Sequence, residues 1–343
     1  MSLLSISLCT SGRADADLRD HALGVVGFDA DAEIADRCSD AAVLPFPLLA
    51  NSSRLPGPVC EIWRASGSVE RGRHGAIRYT CSETFLWGRL VLDAAEFADD
   101  MANVAQAAYA CMRDFVAECG YPHLLRVWNY FGAITQGEGD DERYKQFCVG
   151  RARSFLPGAE GFPAATAIGF PAPRQRFHLL WLAGKRPGMP IENPRQISAY
   201  HYPPQYGPQS PGFARATLLC DHGAPMLLIS GTAAVVGHAS RHQGDLQAQL
   251  DETARNLETL LETARVTAPG LPPRFGAGSL FRVYLRDPTM RAVVEQFLSA
   301  RWPEVQWTLL HAEVCRSELL VEMDGVHGVE LAQGSLQPMS SGR

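Results

Sequence analysis

The 343-residue sequence predicts an α+β protein made of two tandem copies of one strand-and-helix unit packed together. Three observations carry that prediction. Stretches with apolar residues at three- and four-residue intervals alternate with short β-branched and aromatic runs. The same order of elements recurs in the second half of the chain. Leu124-Leu125-Arg126-Val127-Trp128 also matches Leu280-Phe281-Arg282-Val283-Tyr284 at a constant offset (282 − 126 = 156).

Residues 1–60 read as an irregular N-terminal segment with a few short strands, punctuated by Pro45, Pro47, Pro56 and Pro58. The first unit is expected over 61–185. In Ala98–Glu118, Met101, Ala105, Ala108, Met112 and Phe115 form the stripe of an amphipathic helix, and Gly120-Tyr121-Pro122 stops it. Leu124–Tyr130 follows as a strand. A charged, glycine-bearing loop (137–141) leads into a helix over Tyr144–Phe155, then strands over Ala165–Phe170 and Phe177–Ala183.

Residues 186–221 connect the units. They carry Tyr200, His201, Tyr202 and Tyr206 among prolines. A rigid, proline-extended spacer is one reading. The rings favour a second, a segment lining a cleft between the units. The second unit, 222–343, opens with a strand over Met226–Ile229 that ends at Ser230-Gly231-Thr232. A helix over Leu246–Ala264 shows Leu246, Leu250, Leu257 and Leu261 on one face. After it come a strand over Leu280–Leu285, a helix over Thr289–Ala300, and a hairpin spanning Gln306–Asp324.

Composition narrows the function. A net charge of −6 with no basic run argues against a nucleic-acid surface. No apolar stretch approaches the ~20 residues of a membrane span. The opening Met1–Leu8 run lacks the basic residue and length of a signal peptide. Nine scattered cysteines without a C-x-x-C pair suit reduced thiols, so a cytoplasmic protein is expected, with the cysteines other than Cys315 packed as small core residues. His238 and His242 lack an H-E-x-x-H frame, and neither Gly137-Glu138-Gly139 nor Gly276-Ala277-Gly278 has nucleotide-loop spacing. The expectation is no metal and no organic cofactor.

Two resemblances follow from particular residues. Ser230-Gly231-Thr232, the helix around Asp251–Leu257 and the run Val314–Met323 resemble the RidA (YjgF) superfamily, with a shorter turn between Arg316 and Glu322. Arg126–Tyr130, Arg143–Arg151, Gln196–Pro203 and Ile229–Ala233, in that order, resemble the motifs of the chorismatases. That resemblance implies two RidA/YjgF-like (chorismate-mutase-like) units after the N-terminal segment, with an active site between them. It implies chorismate as substrate, pyruvate as one product, and no metal or cofactor. The ring product expected is 3-hydroxybenzoate, with some 4-hydroxybenzoate. A dihydroxycyclohexadiene carboxylate product, a RidA-like imine deaminase and a non-catalytic ligand-binding protein are the alternatives. Two fused units imply a monomer whose domain interface lies within one chain.

Such chemistry needs a carboxylic acid held protonated near neutral pH and cations for two substrate carboxylates. Glu322 is the candidate acid. It alternates with Val321 and Met323, so it faces away from the helices the apolar residues meet. Arg151, Arg215, Tyr144, Tyr200 and Tyr206 are the candidate carboxylate and hydroxyl binders. The resemblance adds Gly231, which leaves room beside the ring, and Cys315, seven residues before Glu322 (322 − 315 = 7), as a thiol that assists ring rearrangement. Arg126 and Arg282 stand mid-strand at equivalent places, which favours a structural role for at least one of them.

Overall fold

The structure is a computed structural model that describes residues 4–10, 22–28, 42–53, 59–155, 161–171, 176–220 and 224–331. Residues 1–3, Pro56, Pro58, Asp221 and everything after 331 lie outside the described residues.

In chain order the strands begin with β1 (Leu4–Thr10), β2 (Ala22–Phe28), β3 (Ala42–Leu44), β4 (Leu48–Asn51) and β5 (Val59–Ala65). Next come β6 (Glu70–His74), β7 (Ile77–Cys81), β8 (Phe85–Asp93), helix α1 (Met101–Glu118) and β9 (His123–Gly132). Helix α2 (Arg143–Ser154), β10 (Ala164–Phe170) and β11 (Arg176–Gly184) complete the first repeat. The second contains β12 (Met189–Ile191), β13 (Ala216–Leu219), β14 (Met226–Ala233), the short pair β15 (Val235–Val236) and β16 (Ala239–Ser240), and α3 (Leu246–Thr267). It continues with β17 (Ser279–Leu285), α4 (Arg291–Arg301), β18 (Gln306–His311), β19 (Glu313–Val314), β20 (Val321–His327) and β21 (Glu330–Leu331).

The duplication is visible in the sheets. One seven-stranded sheet runs β19-β10-β9-β11-β8-β7-β6, the other β12-β13-β14-β20-β17-β18-β4. Set against each other, β9 corresponds to β17, β10 to β18, β11 to β20 and β8 to β14. In both, the central strand pairs in parallel with the strand reached through the shorter helix. Each parallel edge strand is then covered from elsewhere in the chain, β10 by β19 and β18 by β4. An edge so covered offers no free ladder to another chain.

Helices cover one face of each sheet. Val104, Ala108, Met112 and Phe115 of α1 pack against Val127, Leu179 and Trp181. Leu250, Leu257 and Leu261 of α3, with Phe297 and Leu298 of α4, do the same against Val283, Leu309 and Met323. Each Val, Leu, Met or Phe side chain among them contributes about 1.5–3 kcal/mol by leaving water. The opposite faces share a third core with residues of β1, β2 and β5, among them Trp63, Trp87 and Trp128. Into this layer project Arg126 and Arg282. Arg282 pairs with Glu61 at 2.6 Å and Arg126 with Asp324 at 3.1 Å, and all four are nearly free of solvent. Both arginines are therefore built into the core, and removing one partner of such a pair costs about 3–5 kcal/mol.

Four expectations need correction. Where the structure describes it, the N-terminal segment is not an irregular lead-in. β1, β2, β3 and β5 form a five-stranded sheet with β21, β4 joins the second repeat's sheet, and β5 runs across the boundary expected at residue 60. Alternation was hidden there because both faces of these strands are covered: β2 and β5 are buried almost throughout. Secondly, 306–324 is not a hairpin. β18 and β20 lie on opposite sides of β17 and do not pair, since a parallel crossover through α4 places β18 outside and the chain must return past β19 to reach β20. Thirdly, β14 does not end at Ile229 but continues to Ala233 through a register shift between Ile229 and Thr232. The helix expected from Ala98 starts later, because Ala98 and Asp99 adopt left-handed backbone and the Asp100 side chain caps the amides of Ala102 and Asn103.

Candidate active site

Where β10 of the first repeat faces β14 and β20 of the second, a cavity of ≈ 270 Å³ opens. The sheets are tied together at its floor: the Ala164 amide donates to Thr217 Oγ1 at 2.8 Å and the Ala165 amide to Ser230 Oγ at 2.9 Å. Tyr144, Arg151, Tyr206, Arg215, Gly231, Cys315 and Glu322, seven of the eight residues picked from the sequence, line it together.

Glu322 enters from β20. Its neighbours Val321 and Met323 are locked into the helix-facing core, so strand alternation points the carboxyl at the cavity. It is 5% exposed. Burial, reinforced by the charge of Asp324 and opposed by Arg126, Arg316 and Arg215, pushes its carboxyl up to about 8. The group therefore holds a proton at neutral pH and can give it away. Gly231 fits closely against it, since a Cβ there would overlap Oε1 of Glu322. The bulge in β14 and this missing side chain make the space in which the carboxyl lies.

Around the acid stand cations with capacity to spare. Arg215 Nη2 donates to the Ile197 carbonyl at 2.8 Å and to the Tyr202 hydroxyl at 2.7 Å, while its buried Nε has no partner among the described residues. Arg151 extends from α2 over the rings of Tyr109 and Phe155, at 5.0 and 5.3 Å, and its buried Nε and Nη2 are likewise without partners. An unpaired buried guanidinium is costly unless an anion arrives. The Tyr144 hydroxyl is held neutral by burial. The Cys315 thiol is pushed up by burial and by the charge of Glu322, so it is present as a thiol.

Tyr200 is the exception. It lines a separate, smaller cavity of ≈ 200 Å³ behind Arg151, its ring 5.5 Å from Phe162 and 4.6 Å from His201. Residues 199–201 form a tight 3₁₀ turn, which sends successive rings of the segment to different sides. Tyr202 lines the main cavity instead.

The structure also brings in residues outside the sequence-derived set. Arg316 lies over the Tyr206 ring at 4.1 Å and donates Nη1 to the His238 carbonyl and Ser240 Oγ, so β16 and the turn before it hold it at the cavity wall. It arrives there because β19 pairs with β10 and delivers the following turn to the cleft, a connection that local sequence does not encode. Gln196, Tyr202 and Asn129 line the cavity too, and all three stand inside the motif blocks quoted above. His238 bonds the Tyr206 hydroxyl at 3.0 Å and His242 bonds Glu252 at 3.1 Å, so each has its own partner. Among the described residues no three His, Cys, Asp or Glu side chains are grouped to hold a metal ion, and no helix is long and apolar enough to cross a membrane.

Comparison with known proteins follows the same lines. Residues 61–183 match the family model described as chorismatase FkbO/Hyg5-like, N-terminal. The chain is 35% identical to a 3-hydroxybenzoate synthase of Streptomyces hygroscopicus over 285 residues, 78% of this chain and 81% of that one. It is 32% identical to a chorismatase of Streptomyces rapamycinicus over 333 residues, 92% and 95% of the two. A crystal structure of a chorismatase superposes with a TM-score of 0.79 at 26% identity, covering 95% of this chain and 98% of the other.

Proposed function

The chain belongs to the chorismatase family, and we propose that it converts chorismate to pyruvate and 3-hydroxybenzoate, with Glu322 as general acid. The observation that carries this reading is the Glu322 carboxyl, buried on the wall of the cavity, uncharged near neutral pH, and surrounded by guanidiniums. Chorismate brings two carboxylates, and Arg151, Arg215 and Arg316 are the groups that receive them by charge-assisted hydrogen bonds.

With the substrate so held, Glu322 protonates the methylene carbon of the enolpyruvyl group. The resulting oxocarbenium ion leaves as pyruvate when the ring carbon–oxygen bond breaks. The substrate's own ring hydroxyl takes the vacated carbon and gives its proton to the Glu322 carboxylate. That proton returns to the oxygen as the cyclic ether opens, and loss of a ring proton then completes the aromatic product and restores the Glu322 carboxyl. No water is consumed, so atoms balance as one chorismate to one pyruvate and one hydroxybenzoate. A neutral Cys315 thiol beside Glu322 suits hydrogen bonding or proton shuttling during the rearrangement, and the missing side chain at Gly231 leaves room for the Glu322 carboxyl itself. The name of the Streptomyces hygroscopicus relative supports the same product.

The fused repeats and their shared cavity support a monomer with the site inside one chain, and scattered cysteines without a C-x-x-C pair suit a reducing cytoplasm. Incubating the purified protein with chorismate and EDTA, without added cofactor, tests the reading. Chromatography is expected to find pyruvate and 3-hydroxybenzoate in equal amounts. The dihydroxylated diene as main product would move the protein to the hydrolytic branch, and no pyruvate at all would end the proposal.

A further inference from the structure

A buried polar ladder lies behind the cavity. Glu61 receives both Nε and Nη2 of Arg282, at 2.8 and 2.6 Å. Arg282 Nη1 donates to the Tyr130 hydroxyl at 2.9 Å, which is 3.1 Å from the Tyr284 hydroxyl. Tyr284 donates to Asp324 Oδ2 at 3.1 Å, the oxygen that also pairs with Arg126. Arg126 in turn donates to Thr166, a residue of the cavity wall.

Asp324 and Glu322 are two residues apart on β20 and so share its inner face. Their surroundings differ. Asp324 has two donors, whereas the Glu322 carboxyl accepts no hydrogen bond from any described residue. Two close carboxyls do not both ionise cheaply, and the one supplied with donors takes the charge.

We propose that Asp324 is a positioning residue for the acid: paired with Arg126, it holds a fixed negative charge beside Glu322 and keeps that carboxyl loaded with its proton. The inference rests on Glu322 being the acid of the proposed reaction. The other groups facing Glu322 are Arg126 from β9, Arg215 ahead of β13, Arg316 after β19, Tyr144 of α2 and Cys315. The three guanidiniums draw Glu322 toward ionisation, and Asp324 works with burial against them. The ladder extends this control to β5, since Glu61 neutralises Arg282 and leaves Arg126 to Asp324.

The pH profile of kcat/KM for chorismate reads the proton on the acid of the free enzyme. Asp324→Asn should move its alkaline limb down by about one unit or more, because it removes a nearby like charge and leaves Arg126 unopposed. Arg126→Met should move the limb up, since it removes a guanidinium that favours the ionised form of the Glu322 carboxyl. Tyr284→Phe removes one neutral donor to Asp324 and no charge, so its limb should stay close to the parent's. General damage to the fold would not displace the limb in opposite directions in the two charge-changing variants, and loss of folding in one of these leaves the other to decide. A limb coinciding with the parent's in the folded Asp324→Asn or Arg126→Met protein would overturn the proposal. Failure of the underlying reading looks different: Glu322→Gln would then keep its turnover.

Discussion

The two repeats run their strands in the same order but use their inner faces differently. Arg126 and Arg282 are equivalent, and each stands opposite a residue of the next strand: Leu182 in the first repeat, Asp324 in the second. Two positions earlier on that strand come Leu180 and Glu322, opposite Trp128 and Tyr284. One copy therefore places leucines where the other places carboxyls. Leu180 and Leu182 join the shared core, each contributing about 1.5–3 kcal/mol. Glu322 and Asp324 occupy the same kind of site at a desolvation cost. The division is reciprocal in the helices. α2 sends Tyr144 and Arg151 to the cavity, whereas no residue of its counterpart α4 lines it. Duplication lets one sheet remain packing surface while the other carries a destabilising acid, and the active site needs a piece of each.

The sharpest way to break this comparison is at Glu322 and Leu180. Glu322→Gln keeps the shape but cannot donate the proton, so kcat should fall by about 10²–10⁴, with chorismate affinity within several-fold. Leu180→Ala should instead cost about 2–5 kcal/mol in denaturant unfolding, with kcat little changed. A folded Leu180→Ala protein without turnover would put chemistry in the first repeat's sheet as well.

Next in size are the binders supplied around the acid. Arg151→Ala and Arg215→Ala should each cost roughly 1.5–3 kcal/mol of substrate binding, about ten- to a hundredfold in KM, with a smaller change in kcat. Unchanged KM in both would leave Arg316 as the main carboxylate partner. Steady-state kinetics distinguishes these outcomes.

The contrast also has a pH signature. Glu322 must be protonated to act, so kcat/KM should decline about tenfold per unit above about 8. Stability carries the same sign. The folded state keeps this proton up to about 8 while the unfolded chain releases it near the ordinary carboxylate value, so between those values the folded state binds more protons and this group's contribution falls as pH rises. Denaturant unfolding of the parent across that window should show the decline, and Glu322→Gln should lessen it.

The smallest effect on rate is expected at Cys315. Cys315→Ala should release pyruvate at a similar rate but divert ring product from 3-hydroxybenzoate to the dihydroxylated diene. Product ratios measured side by side check this, and an unchanged ratio would leave Cys315 a packing residue at the cleft.

Much of this was legible in the residues themselves. The stripes that became α1 and α3, the repeat marked by Arg126 and Arg282, and the outward turn of Glu322 all follow from periodicities of 3.6 and 2, which are local properties of the backbone. Strands buried on both faces carry no alternation, so β2 was not singled out within a segment read as irregular with a few short strands. Parallel crossing is likewise invisible in a run of apolar residues, and β18 and β20 were read as neighbours although β17 lies between them. Tyr200 and Tyr202 could not be told apart either, because one turn of 3₁₀ helix decides which ring meets the cavity.

By itself the sequence determined which residues bear chemistry and which face of each element they occupy, since both are set within a few residues along the chain. Only the tertiary structure decided what those faces meet. It placed Arg126 of one repeat beside Asp324 of the other, brought Arg316 to the cleft through the pairing of β19 with β10, and withdrew Glu322 from water. A carboxyl's proton affinity depends on solvent exclusion and on charges within a few ångströms, and here those charges come from positions as far apart in sequence as 126 and 322.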